Sequence, residues 1–235
     1  MIPLHEISCV AEITRYQARI NGTRIAQFFE GRETTYLELD RRASQIANGL
    51  LAAGCSPGTR IGYIGKNSDC YFEVLSGSAK ANLVMTAVNW RLAGPEIDYV
   101  LNNAQVEVLF VGAEFYDVIE QIAPSLTSLR MIIAIDDGDN NWAAFTDWRD
   151  RQSDCDPLLP VDLDADIIQL YTSGTTGHPK GVQLTNSNYL DLLDQAANGG
   201  WGDWTDGEAS LVAMPIFHVA GGNIGLIGLA QGLKN

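Results

Sequence analysis

Tyr171-Thr-Ser-Gly-Thr-Thr-Gly-His-Pro-Lys-Gly181 is the stretch that decides how this sequence of 235 residues folds and what it binds. It contains three glycines, four serine or threonine side chains and one lysine, and it follows an apolar run, Ile167–Tyr171, that predicts a buried strand. Glycines let a backbone turn several N–H groups into one concavity, hydroxyls add short donors, and lysine adds positive charge. The sequence therefore predicts a phosphate-binding loop at the carboxyl edge of a sheet, where open α/β folds bind their ligands.

The spacing within this stretch excludes the P-loop of nucleoside triphosphatases, G-x-x-x-x-G-K-[ST]. Gly174 and Gly177 are three residues apart, and Pro179 directly precedes Lys180. In a P-loop the lysine follows a glycine and begins a helix. Two interpretations stay open on the residues alone: a phosphate loop of another kind, and a flexible surface loop rich in small residues.

Three segments carry a resemblance to a known family. Thr172–Gly181 resembles the phosphate loop of the AMP-forming adenylating enzymes, which include acyl-CoA synthetases, peptide-synthetase adenylation domains and firefly-type luciferases. Val88-Asn-Trp-Arg-Leu92 is similar to a stretch of the fatty-acyl-CoA synthetase branch, and Met214-Pro-Ile-Phe-His218 resembles the second family motif. Because the three motifs occur in the family order and span most of the chain, the sequence is identified as a member of this superfamily.

The resemblance implies a reaction in two steps. A carboxylate attacks the α-phosphorus of ATP to give an acyl-adenylate and pyrophosphate, and a thiol, usually that of coenzyme A, then displaces AMP. The implied cofactors and co-substrates are ATP, Mg²⁺ and coenzyme A, and the implied substrate is a small carboxylic acid. The residues that match the family loop position for position, and that the resemblance assigns to the ATP phosphates, are Thr172, Ser173, Gly174, Thr175, Thr176, Gly177 and Lys180.

His218 is the candidate for a catalytic role. The resemblance places it at the acyl pocket beside the adenylate, where it would orient the acid and exclude water rather than transfer a proton. Gly221 and Gly222 follow it. They either leave room for an acyl chain or allow close packing of a helix, and the sequence leaves both explanations open.

Several other residues are expected to have structural roles. We expect Tyr171 to end its strand in the core, Trp90 to fill the space between layers, and Arg91 to pair with an acidic neighbour. No cluster of His, Cys and carboxylate side chains has the spacing of metal ligands, so the sequence predicts no metal-binding residues in this chain.

Composition limits the partners and the location. Lys and Arg number 15 against 29 Asp and Glu, and the net charge of −14 argues against nucleic acid and anionic membranes, which attract basic surfaces. Four scattered cysteines without a C-x-x-C pair, and an N-terminus without a signal-peptide pattern, are typical of a reduced cytoplasmic protein. No run approaches the roughly 20 apolar residues of a transmembrane helix.

The predicted fold is α/β, with mostly parallel layered sheets flanked by helices. A capping box at Thr35–Glu38 begins a helix that Gly54 ends. Residues 136–164, rich in Asp, Asn and Pro, predict a long connection with one short helix, and Ala209–Met214 predicts a further strand. We predict a first α/β subdomain over residues 1–165 and the start of a second, with the phosphate loop, over residues 166–235.

The resemblance also implies that the sequence is the N-terminal part of an adenylate-forming enzyme. The sequence has no counterpart of the adenine-contacting segment, the magnesium-binding Glu, the ribose-binding Asp or the C-terminal domain with its catalytic lysine. We therefore expect the chain to be inactive alone, and to expose an apolar face through which it associates with itself as a homodimer or with the remainder of the enzyme.

The sequence thus predicts an AMP-forming acyl-CoA synthetase that acts on fatty or related acids. Aryl-acid ligases and amino-acid-adenylating domains stay open, although Gly221-Gly222-Asn223 offers no Asp to pair with the ammonium group of an amino acid. The rival from a different class is a non-catalytic module that binds nucleotide phosphates or a partner chain.

Overall fold

The computed structural model describes residues 6–136, 140–172, 179–199, 204–205 and 207–235. The α-helices are α1 (Ala11–Asn21), α2 (Tyr36–Ala52), α3 (Asp69–Lys80), α4 (Gly94–Ala104), α5 (Tyr116–Ile122), α6 (Phe145–Asp150), α7 (Asn186–Asn198) and α8 (Val219–Ala230). The strands are β1 (Ile25–Phe29), β2 (Arg32–Thr35), β3 (Arg60–Ile64), β4 (Val84–Ala87), β5 (Val106–Val111), β6 (Met131–Ala134), β7 (Ala143–Ala144), β8 (Asp166–Thr172) and β9 (Lys180–Thr185). In this part of the chain no helix is both long and apolar enough to cross a membrane.

A seven-stranded sheet in the order β7-β6-β5-β3-β4-β8-β9 forms the centre of the molecule. Neighbouring strands run parallel except for β8 and β9, which form an antiparallel pair. Helices cover both faces of this sheet, so the predicted α/β class is confirmed. Because the parallel strands point the same way, their carboxyl ends meet at one edge of the sheet.

Two hydrophobic clusters lie on opposite faces of the sheet, and β5 contributes alternate residues to each. Val108 and Phe110 belong to the larger cluster, which also contains residues of α2 and α3. Leu109 and Val111 belong to the smaller cluster, with residues of α4 and α5. Successive side chains of a strand point to opposite faces, so a strand buried on both sides is apolar on both, as β5 is from Val108 to Val111.

Local signals fix the ends of α2 as the sequence predicts. The Thr35 hydroxyl accepts a hydrogen bond from the Glu38 N–H, and the Glu38 carboxylate accepts one from the Thr35 N–H. The hydrogen bond from the Thr35 backbone is the largest cause of a lowered pKa at Glu38. After the helix, Gly54 has a φ of +82°, a conformation that favours glycine.

Residues 209–214 do not form the predicted strand. Their only ladder contact is an isolated bridge between Ala209 and Lys234, in which the Ser210 N–H donates to the Lys234 carbonyl at 2.8 Å. The backbone carbonyls of Val212 and Met214 accept hydrogen bonds from the side chain of Asn67 instead. Conversely, β9 and the elements α1, β1 and β2 were not predicted.

The sheet continues across the division that the sequence suggests between residues 165 and 166. Strand β8 begins at Asp166, and its Ile168 pairs with Met85 of β4. The two subdomains therefore stay a prediction, and the phosphate-loop hairpin is part of the same sheet as β3, β4 and β5.

The last residues of the sequence pair with β1. The Phe28 N–H donates to the Asn235 carbonyl at 2.8 Å, and the Asn235 N–H donates to the Ala26 carbonyl at 2.9 Å. The hydroxyl of Tyr36, which is fully buried, donates to the Leu233 carbonyl at 2.6 Å. These contacts fasten the first hairpin to the end of the sequence.

The connection between β6 and β8 contains the expected short helix, α6, and is fastened to the molecule by aromatic rings and buried charges. Phe145 and Trp148 pack edge-on against Phe110, with ring centroids 5.9 and 5.8 Å apart. The ammonium group of Lys80, which is fully buried, lies 2.6 Å from carboxylate oxygens of both Asp40 and Asp156.

The buried carboxylate of Glu73 also holds the connection between β6 and β8 in place. Glu73 accepts from Arg42 at 2.9 Å and from Arg149 of α6 at 2.8 Å. At Asp156, burial opposes ionisation, but hydrogen bonds from Arg15 and Lys80 outweigh it and hold the pKa well below its usual range.

We expect Asp156→Asn to lower the free energy of unfolding by about 3 kcal/mol at pH 7, because Lys80 loses a buried partner. A carboxyl group with a lowered folded-state pKa stabilises the fold above its unfolded pKa of about 3.9 and loses that contribution as the pH falls. Urea unfolding between pH 3 and 7 should therefore depend less on pH in the variant than in the wild type.

Asp147→Asn is the matched control. Asp147 is exposed, and its contact with Arg151 is 3.9 Å long. Exposed pairs contribute roughly 0–1 kcal/mol, so this variant should stay close to the wild type. Equal stabilities for the two variants would contradict the assignment of Asp156 to the buried network.

Candidate functional site

The antiparallel hairpin of β8 and β9 carries the predicted phosphate loop. Thr172 lies opposite Lys180 in its register, and Tyr171 lies opposite Gly181. Cross-strand partners point to the same face of a sheet, with Cβ atoms about 5 Å apart. The structure therefore brings together Thr172 and Lys180, the two predicted phosphate-binding residues that it describes. The other five, Ser173, Gly174, Thr175, Thr176 and Gly177, lie outside the described residues.

Lys180 supplies a positive charge that no described residue neutralises. Its side chain is exposed, and none of the ion pairs between described residues involves it. Lys66 and Lys80, by contrast, are paired with Glu114 and with Asp40 and Asp156. In a chain with a net charge of −14, an unpaired ammonium group at the end of a strand suits an anionic ligand.

A cleft of about 670 Å³ opens at the carboxyl ends of the parallel strands. In the strand order, the chain passes from β3 to its neighbour β4 in one direction, and from β5 to its neighbour β6 in the opposite direction. The crevice between β3 and β5 is therefore the switch point at which open α/β sheets bind ligands. The Lys66 ammonium spans it to Glu114 at 2.7 Å, and that hydrogen bond is the main cause of the lowered pKa of Glu114.

Arg91 borders this cleft, and the prediction that it pairs with an acidic neighbour is wrong. Its guanidinium lies over the ring of Trp90, 4.9 Å from the centroid, and 6.0 Å from that of Phe217. None of the ion pairs between described residues involves it. The two rings meet edge to face at 6.1 Å, so Trp90 packs the segment after β4 against the Met214–His218 motif.

His218 caps the last helix. It is the residue before α8, and its Nδ1 accepts a hydrogen bond from the Ala220 N–H at 3.3 Å. Its side chain is exposed. Within the described residues, no hydrogen bond joins His218 to Thr172 or Lys180, so its predicted role beside the adenylate stays a prediction.

The structure separates the two explanations for the glycines after His218. A Cβ at Gly221 would lie 2.3 Å from the Pro215 carbonyl oxygen, so Gly221 allows the backbone of α8 to pack against the motif. A Cβ at Gly222 would have its nearest neighbours at 3.4 and 3.5 Å, which is ordinary contact. Close packing therefore explains Gly221, and Gly222 has room for a methyl group.

Asn67 holds the Met214–His218 motif in place, and sequence reasoning missed it. Its Nδ2 donates to the carbonyls of Val212 and Met214 at 3.1 and 2.9 Å, and its Oδ1 accepts from the Ile216 N–H at 3.1 Å. The available signal was its position: a polar residue three positions after the end of a buried strand, at the edge where ligands bind.

Comparison with known proteins identifies the family. A family model described as "AMP-binding enzyme" matches residues 14–235. A fatty acid–[acyl-carrier-protein] ligase, ScoC, from Streptomyces coeruleorubidus is 38% identical over 92% of this chain. A feruloyl-CoA synthase from Amycolatopsis is 33% identical over 93% of it. The chain spans 41% of the length of each of these relatives.

Solved structures agree with the fold. A candidate long-chain-fatty-acid CoA ligase from Rhodopseudomonas palustris CGA009 is 26% identical and covers 98% of this chain, with a TM-score of 0.88; the match covers 57% of that protein. The anthranilate CoA ligase AuaEII, solved in complex with anthranoyl-AMP, is 24% identical, with a TM-score of 0.84 over 99% of this chain and 46% of its own. The hairpin, the cleft and the capped helix thus lie in the fold of the N-terminal domains of adenylate-forming enzymes, and the chain belongs to the family of AMP-binding enzymes.

Proposed function

We propose that this protein takes part in the ATP-dependent activation of a carboxylic acid, which it joins to AMP and then to a thiol. The observation that carries the proposal is the hairpin of β8 and β9. It holds Thr172 and the unpaired Lys180 on either side of a glycine-rich loop, at the carboxyl edge of the sheet. Membership of the AMP-binding family supports the same chemistry.

In the first step, a carboxylate oxygen of the acid bonds to the α-phosphorus of ATP. The bond from that phosphorus to the oxygen of the β-phosphate breaks, and pyrophosphate leaves. Negative charge builds up on the phosphorus and on the leaving group, so catalysis consists mainly of positioning and charge stabilisation. This charge would be stabilised by the ammonium group of Lys180 and by the hydroxyls and N–H groups of residues 172–177.

In the second step, a thiolate attacks the acyl carbon, the bond from that carbon to the phosphate oxygen breaks, and AMP leaves. We propose a fatty or related acid, because Val88–Leu92 resembles the fatty-acyl branch and one relative is named a fatty acid ligase. The other relative is named a feruloyl-CoA synthase, so an aryl acid is the alternative substrate class. The acceptors in these names, an acyl-carrier protein and coenzyme A, both react through a thiol.

Magnesium is the implied cofactor, and it would supply positive charge at the phosphate oxygens when bound. Among the described residues, no group of three or more His, Cys, Asp or Glu side chains is placed to hold a metal ion. The steps assigned to this chain therefore involve Lys180, hydroxyls and backbone N–H groups.

A non-catalytic module that only binds nucleotide phosphates is the second candidate. It is favoured by the hairpin itself, since Thr172 and Lys180 suit the binding of phosphates whether or not a reaction follows.

Exchange of labelled pyrophosphate into ATP, dependent on added acid, separates the two candidates. We expect no exchange from residues 1–235 alone, and exchange from any longer translation product of the same gene. A panel of fatty and aryl acids tests the substrate class in the same assay. A longer product that binds ATP but exchanges no pyrophosphate with any acid would favour the binding module.

Lys180→Ala and Thr175→Ala in the active chain should each raise the free energy of activation for adenylation by about 1.5–3 kcal/mol, because each removes a contact to the phosphates. Exchange rates at varied ATP concentration measure the effect. Lys234→Ala is the matched control, since Lys234 is also exposed and lies over the ring of Phe28. If all three variants keep wild-type kinetics, the phosphates bind elsewhere.

Two substitutions at His218 separate its capping role from its proposed role beside the acid. His218→Ala should destabilise the fold by about 1 kcal/mol, and His218→Asn should not, because Asn is a strong N-cap. If His218 lines the acid site, both variants should raise the KM for the acid in the exchange assay. A wild-type KM in His218→Asn would mean that His218 only caps α8 and does not line the acid site.

A further inference from the structure

The hairpin that carries the phosphate loop rests on helix α4 through the side chain of Tyr171. The Tyr171 hydroxyl accepts a hydrogen bond from the Gln169 Nε2 at 3.2 Å and donates one to the Asn103 Oδ1 at 2.6 Å. Burial is the main cause that raises the pKa of Tyr171 to about 12. The hydroxyl therefore keeps its proton, and remains a donor to Asn103, at neutral pH.

The same helix also reaches the other end of the loop. The Tyr99 hydroxyl donates to the carbonyl oxygen of Pro179 at 3.4 Å, a longer and weaker contact. Tyr99 and Asn103 are four residues apart, so they lie on one face of α4. Helix α4 thus contacts the chain just before the loop, at Tyr171, and just after it, at Pro179.

Gly181 makes room for this arrangement. It lies opposite Tyr171 in the hairpin, and a Cβ there would be 2.5 Å from the Gln169 Nε2 and 3.2 Å from the Tyr171 Cζ. A larger residue at position 181 would displace the Gln169 amide group, which bonds to the Tyr171 hydroxyl, and the Tyr171 ring itself. On the other side, Arg60 of β3 donates to the Gln169 Oε1 at 3.3 Å. The contact is therefore embedded in a chain of polar groups that begins in the middle of the sheet.

We propose that Tyr171 and Asn103, assisted by Tyr99, are positioning residues that hold the two ends of the phosphate loop in a fixed relation. Successive residues of a strand point to opposite faces, so fixing Tyr171 towards α4 fixes Thr172 on the other face, beside Lys180. Donors that are held in place before the ligand arrives bind it more tightly than donors that must be ordered. The effect on phosphates rests on the function proposed above.

The test compares Tyr171→Phe, Asn103→Leu and the double variant in the 235-residue chain. The first measurement, without ligand, is amide hydrogen exchange in peptides that cover residues 172–182. The second is the Kd of MgATP by calorimetry. Loss of the hydrogen bond between Tyr171 and Asn103 should speed exchange and weaken MgATP about five-fold in Asn103→Leu, and at least as much in Tyr171→Phe, which also loses the bond from Gln169. The double variant should match Tyr171→Phe, because that substitution already removes the bond to Asn103.

Tyr116→Phe is the matched control. Its hydroxyl also donates to an oxygen, the carbonyl of Asp136, at a part of the edge away from the hairpin. It should leave both the exchange of residues 172–182 and the Kd unchanged, while its melting temperature falls about as far as that of Tyr171→Phe.

Unchanged hydrogen exchange in Tyr171→Phe, or additive effects in the double variant, would overturn the positioning role. So would an unchanged Kd in a chain whose wild type binds MgATP. If the wild type binds no MgATP and Lys180→Ala makes no difference, the proposed function fails and the positioning of phosphate donors fails with it. In that case the exchange data still decide whether α4 holds the hairpin.

Discussion

Strands β6, β5, β3, β4 and β8 run parallel, and this constraint determines where every candidate site residue lies. Parallel strands end at one edge, so the segments that follow β3, β4, β5 and β8 converge there without any sequence proximity. Asn67, Arg91, Glu114 and Thr172 each follow or end a different strand. The cleft is a consequence of that convergence, since the sheet direction brings the groups that line it together.

Buried charge fixes a part of the molecule that the sheet does not. The connection between β6 and β8 has little regular structure, and Asp156 and Arg149 attach it to Lys80 and Glu73 on α3. Such pairs add little net stability compared with apolar packing, because both charges lose their hydration. These pairs instead select one route for the connection, because any route that left Lys80 without its carboxylates would be strongly unfavourable. The connection leads directly into β8, so its path also sets where the phosphate-loop hairpin begins.

Sequence patterns were sufficient wherever the signal is local. The capping box of α2 and the glycine after it were both predicted from neighbouring residues. Strand β9 was missed because it is an exposed edge strand that begins Lys-Gly and buries little. The strand predicted at residues 209–214 failed because its backbone partner is a side chain 145 residues away, Asn67. Arg91 was misassigned for the same kind of reason, since only the fold brings Phe217 to it. The loop residues stay a prediction from the motif, and the residues of α4 that contact Tyr171 and Pro179 on either side of the loop, Asn103 and Tyr99, have no local signature.

The pairing of β1 with the last residues has a consequence for synthesis on the ribosome. Tyr36 binds the carbonyl of a residue 197 positions later. At typical translation rates the interval between the two is roughly 10 to 40 s. During that interval the edge of β1 offers unpaired N–H and C=O groups to other nascent chains. The first hairpin should therefore depend on chaperone protection until its distant partner emerges, whereas the sheet from β3 to β6 can fold behind it as soon as it is made.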